Sequence, residues 1–171
     1  VFLSGIGGIG KTELAKQYAY RHRAQYDTVV FAVYEKNIES LVRDEIGINQ
    51  ISREEDETER DYFKRKIEVL KQAATPKDLI IIDNFDVDAD EDLETLFACP
   101  CKFIITTRKD FRDYNYEQIN VDRIKDIQEI LNLFYTYTSI PYTEKEVEAV
   151  RQLIEYVEHH TMTVELIAKY L

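Results

Sequence analysis

No stretch of this chain stays apolar for the roughly 20 residues that a membrane-spanning helix needs. The opening residues also lack the basic start and long apolar core of a secretory signal. No initiator methionine precedes Val1, and the chain begins inside what reads as a strand. An excised, cytoplasmic piece of a longer protein is therefore expected. Cysteine occurs twice, as Cys99 and Cys101 on either side of Pro100. A structural zinc site takes four ligands, and no second Cys/His pair has ligand spacing, so free thiols are expected. Basic residues are outnumbered, 22 Lys and Arg against 33 Asp and Glu, for a net charge of −11. Such a surface repels a phosphate backbone, which argues against direct nucleic-acid binding by this segment. Glycine is scarce too, yet four of the five glycines fall between Gly5 and Gly10.

What is present is the composition of a folded domain, with 44% hydrophobic and 12% aromatic residues. Val1 to Leu3 is a short apolar run ending at the glycines. From Lys11 onward, Leu14, Ala15, Tyr18 and Ala19 recur at helical spacing. Thr28 to Tyr34 is β-branched and aromatic and reads as a strand. Asn37 to Ile46 reads as a helix, the acidic run Arg53 to Asp61 as a solvated helix start or loop, and Tyr62 to Ala74 as a helix stopped by Pro76. Asp78 to Asp83 carries four consecutive aliphatics, the mark of a strand covered on both faces. A short helix is expected within Asp88 to Ala98, a buried strand over Lys102 to Thr107, and a fifth strand over Tyr116 to Val121. Beyond Val121 the spacing is helical only, around Ile127 to Phe134, Val147 to Val157 and Val164 to Leu171. The expected fold is α/β, a parallel sheet of about five strands flanked by helices and followed by a small all-helical subdomain. The boundary is placed between residues 122 and 123.

The glycines sit in Gly5-Ile6-Gly7-Gly8-Ile9-Gly10-Lys11-Thr12, between a strand and a helix. This is the P-loop pattern. Its backbone N–H groups cradle phosphates, its lysine reaches the β/γ-phosphates, and its hydroxyl meets Mg2+ at a helix N-terminus. Gly5, Gly7, Gly8, Ile9, Gly10, Lys11, Thr12 and Glu13 are the candidate nucleotide-binding residues, for ATP/ADP. Leu79-Ile80-Ile81-Ile82-Asp83 has the Walker B form, a strand ending in an acid that orients Mg2+. Thr12 and Asp83 are thus the candidate metal residues. Arg108, after Ile104-Ile105-Thr106-Thr107, stands at the carboxyl end of another strand, the edge where open α/β sheets hold ligands. It is a candidate for the γ-phosphate, and Asp83 and Arg108 are the candidate catalytic pair.

These three motifs, in this order, resemble the NB-ARC domains of the STAND class of signalling ATPases, relatives of AAA+ proteins with many bacterial members. The resemblance implies a molecular switch that exchanges ADP for ATP and self-associates in the ATP state. It also implies effector and sensor domains fused outside this chain. The helical remainder is similar to the small ARC1 subdomain, with His159 to Leu166 where that family has a Gly-x-Pro-Leu motif. There Thr161 replaces the proline that packs near adenine. Asn84 stands where the family often has a second acid, and its amide cannot serve as a general base. Asp86 can substitute only if its loop turns back. Slow hydrolysis at most is implied. A turning-over P-loop ATPase or phosphotransferase, and a degenerate scaffold, remain the alternatives.

Overall fold

A computed structural model of the chain describes residues 1–47, 51–112, 116–138 and 143–171. Strand β1 (Phe2–Ser4) runs through the glycine loop into helix α1 (Lys11–Arg21). Strand β2 (Thr28–Val33) is followed by α2 (Ile38–Asp44) and α3 (Glu59–Ala73). Then come β3 (Asp78–Asp83), α4 (Leu93–Phe97), β4 (Lys102–Thr107) and β5 (Gln118–Asn120). Helices α5 (Ile127–Tyr137), α6 (Glu144–Tyr156) and α7 (Thr161–Tyr170) follow. The chain divides into two compact units, Val1–Ser4 with Thr12–Ile119, and Gly5–Lys11 with Asn120–Leu171.

The sheet runs in the order β2-β3-β4-β1-β5, with parallel pairing of β2 to β3, β3 to β4 and β4 to β1. Leu79 to Ile82 are all buried, as an unbroken aliphatic run in a doubly covered strand must be. Register sets Ile82 opposite Ile105, so Asp83 ends β3 one step further on, level with Thr106. Ile38, Leu41 and Val42 of α2 and Phe63, Ile67 and Leu70 of α3 close the core over Ile80, Ile82 and Ile105. The α/β class expected from the strand and helix pattern is the one observed.

Local chemistry moves several element ends from their expected places. The short helix expected within Asp88 to Ala98 occupies only Leu93–Phe97, because Asp90 is used elsewhere: its carboxylate accepts from the Tyr34 hydroxyl and the Ile38 N–H at the start of α2. Helix α3 starts earlier than its apolar face, at Glu59, since Thr58 caps it by accepting from Asp61 N–H. Lys66 of α3 is buried and donates to the Arg43 carbonyl across to α2, and burial lowers its pKa. The Arg60 guanidinium forks onto the buried Asp92 carboxylate, tying α3 to the start of α4.

In the other unit, Ile130, Leu131 and Phe134 of α5, Val150 and Ile154 of α6, and Val164 and Ala168 of α7 form one apolar core. Asp126 caps α5, and Thr143 with Glu146 forms a capping box on α6. No helix among the described residues is long and apolar enough to cross a membrane.

Cys99 and Cys101 are free thiols, the first buried and the second partly so. Burial pushes them up from the ordinary 9.0 to about 11 and about 12. The folded state therefore keeps protons that the unfolded chain releases above the ordinary value. This contribution to stability is complete below that value and is lost as pH rises from it through the folded values of about 11 and about 12. Iodoacetamide at pH 8 is expected to label both cysteines slowly in the native chain and quickly in urea, as followed by mass spectrometry. Fast native labelling would contradict the burial.

Candidate functional site

The unit that contains α5, α6 and α7 also contains the glycine loop, residues 5–11. Two of its glycines are sterically required. Gly8 sits at φ +71°, and a Cβ there would stand 2.8 Å from Met162 Cβ and 2.9 Å from His160 Cε1. A Cβ on Gly5 would stand 2.4 Å from the Val121 carbonyl oxygen. At both positions a larger residue would collide with the chain packed against the loop, and at Gly8 the positive φ favours glycine as well. Lys11 is buried, and its Nζ donates to the Gly5 and Ile6 carbonyls, both at 2.8 Å. Ile9 is buried, while Ile6 is exposed.

The start of α7 grips two further loop carbonyls, those of Gly7 and Gly8. His160 Nε2 lies 2.8 Å from the Gly7 carbonyl oxygen. Thr161 Oγ1 donates to the Gly8 carbonyl at 2.7 Å, and Met162 N–H donates to the same oxygen at 3.1 Å. In the sequence Thr161 shows only as the residue that replaces a proline, and nothing around it points its hydroxyl or His160 to the loop. No local signal connects residues separated by 153 positions. The turn that delivers His160 is strained: Glu158 and His159 both hold positive φ, 52° and 60°. Each non-glycine residue in that region costs about 1 kcal/mol. The Arg123–Glu158 ion pair and the 2.8 Å bond between His159 Nδ1 and the Ile124 carbonyl hold it there.

The sheet-bearing unit contains Thr12, Asp83 and Arg108. Thr12 Oγ1 donates to Asp83 Oδ1 at 2.7 Å, so the first Walker hydroxyl and the Walker B acid meet. Thr106 Oγ1 donates to the same oxygen at 2.5 Å and accepts from Asn84 N–H at 3.0 Å. Thr106 was visible in the sequence only as a strand residue, yet here it aims the acid. A hydroxyl and a carboxylate side by side are hard oxygen donors of the kind Mg2+ takes alongside phosphate and water. Glu13 is exposed on α1 and accepts from Gln17 Nε2 at 2.9 Å, which places its carboxylate along the helix surface. Asn84 carries φ 65° directly after the acid.

Arg108 is held by Asp86. Its backbone N–H donates to Asp86 Oδ1 at 2.6 Å, and its Nε lies 3.0 Å from Oδ2. The guanidinium remains mostly exposed. A hollow of about 510 Å³ in this unit lies elsewhere. Leu3, Leu14, Tyr18, Leu79, Ile104 and Ile119 line it, an apolar wall unsuited to phosphate.

A protein-family model described as NB-ARC domain matches residues 1–125. No curated protein sequence matches the chain. The match takes in more than half of the chain's length, together with the glycine loop, Asp83 and Arg108, and the chain belongs to the NB-ARC family. Membership carries with it nucleotide binding and a switch-type role in signalling.

Proposed function

We propose that this NB-ARC domain is an Mg2+-dependent ATP/ADP switch that retains its nucleotide far longer than it hydrolyses it. The loop from Gly5 to Thr12 holds the phosphates, Thr12 and Asp83 hold Mg2+, and Arg108 senses the γ-phosphate. In the ATP state the domain promotes self-association of a longer protein that carries effector and sensor segments.

The fate of the acids after Asp83 carries the reading of retention over turnover. The Asn84 amide cannot accept a proton from water. Asp86, the next carboxylate, has both oxygens engaged by Arg108. A water-activating base is missing from the two places where it would stand, which favours the switch over a turning-over enzyme.

Titration with fluorescent ADP and ATP, with and without Mg2+, tests the proposal together with steady-state phosphate release. Both nucleotides are expected to bind, and hydrolysis is expected below about one per minute, against roughly 10 per second for a median enzyme. Rapid turnover would establish an enzyme instead. Failure of both nucleotides to bind would sink the switch.

Asp86 and a γ-phosphate compete for the same guanidinium. Asp86→Ala is expected to raise the affinity ratio of ATP over ADP about threefold, the modest effect of an exposed ion pair. A ratio that falls would mean that Asp86 orients Arg108 instead of restraining it.

A further inference from the structure

The peptide group explains what the grip of α7 on the loop achieves. A trans peptide is planar, with its C=O and N–H pointing in opposite directions. Fixing the Gly7 carbonyl therefore fixes the Gly8 N–H, and fixing the Gly8 carbonyl fixes the Ile9 N–H. Both carbonyls are drawn toward the first turn of α7, by His160 Nε2 and by Thr161 Oγ1 with Met162 N–H. The two N–H groups are thereby turned away from α7, toward the concave side of the loop where an anion is received. Glycine at position 8 costs the loop conformational order, and these bonds restore it.

His160 joins two tasks in one ring. Its Nδ1 accepts from Thr163 N–H at 3.3 Å as the cap of α7, and Nε2 reaches Gly7. With Nδ1 accepting, the ring proton belongs on Nε2, which then donates to the carbonyl. Behind this turn, Val164 and Ala168 bury α7 in the core with α5. The grip is thus backed by packed apolar structure on one side and delivered by two strained residues, Glu158 and His159, on the other. Strain of this kind persists where surrounding structure imposes a particular placement.

We infer that His160 and Thr161 are positioning residues for the phosphate loop, and that the bonds they make to the Gly7 and Gly8 carbonyls slow nucleotide release. The inference rests on the nucleotide-switch reading and adds the element that controls it.

Two pairs of variants separate positioning from simple helix capping. His160→Asn keeps an acceptor near the Nδ1 position and so the cap, but cannot reach Gly7. His160→Gln keeps a donor near the Nε2 position and so the grip. Thr161→Val removes the hydroxyl at constant shape, and Thr161→Ser restores it. Release of fluorescent ADP is followed by stopped flow, beside a thermal melt of each variant. His160→Asn and Thr161→Val are each expected to release ADP about fivefold faster, the loss of one neutral hydrogen bond. His160→Gln and Thr161→Ser are expected to stay near the wild-type rate. Unchanged release in His160→Asn and Thr161→Val, with the wild type binding normally, overturns the inference and leaves the switch standing. Fast release in His160→Gln with normal release in His160→Asn reduces the histidine to a cap and also overturns it. A wild-type chain that binds no ADP removes the switch reading and this inference together.

Discussion

Lys11→Ala is expected to weaken ADP and ATP binding roughly 100-fold while leaving the chain folded, the scale of losing charge-assisted hydrogen bonds to phosphate. The geometry shows why so much falls on one side chain. Lys11 is buried, and its Nζ is held between the Gly5 and Ile6 carbonyls, so the loop itself fixes where the cation stands. Its placement needs little reorganisation, and its charge acts where water is partly excluded. The chain carries a net charge of −11, which makes a local positive charge all the more necessary for an anionic ligand. Isothermal titration of wild type, Lys11→Ala and Lys11→Arg checks this, with circular dichroism to confirm folding. Arginine is expected to restore little, because its planar fork does not fit between two carbonyls that hold a compact ammonium. Undiminished binding by Lys11→Ala would place the nucleotide elsewhere.

The largest loss of stability is expected from Phe85→Ala. Phe85 is fully buried, edge-on to Tyr34 at 4.7 Å between ring centroids and near Phe2 and Phe111 at 6.4 and 5.7 Å. Emptying such a site costs about 3–5 kcal/mol, a large part of the 5–15 kcal/mol that holds a typical domain together. At this chain length the midpoint of thermal unfolding should fall by about 10–15 °C. The chain contains no tryptophan, so far-ultraviolet circular dichroism is the suitable measure. The change also reaches the site, since Phe85 N–H donates to the Thr106 carbonyl two residues after Asp83. Loss of the ring loosens the loop that carries Asn84 and Asp86. A variant that unfolds within a few degrees of wild type would show that neighbouring aromatics refill the space.

Much of this protein was legible in the order of its residues. The glycine loop is local: eight consecutive residues hold its whole pattern, and backbone freedom at glycine is a property of each position alone. The strands Asp78–Asp83 and Lys102–Thr107 were legible to the residue, because an unbroken apolar run leaves few other ways to be buried. Family and fold class followed from these. Helix ends were less legible, because caps are decided by single side chains with rival partners. Asp90 was free to join a helix in sequence, but Tyr34 and Ile38 claim it.

Only the tertiary structure decided which polar groups meet. Thr106 reaches Asp83 because sheet register sets β4 level with the end of β3, and register is a property of two strands, not of either. Asp86 is engaged by Arg108 across the same pair of strand ends. His160 and Thr161 reach the glycine loop from the opposite end of the chain. Periodicity records which face of an element is buried, whereas a hydrogen bond depends on distance and direction between elements, and that information exists only once the chain has folded.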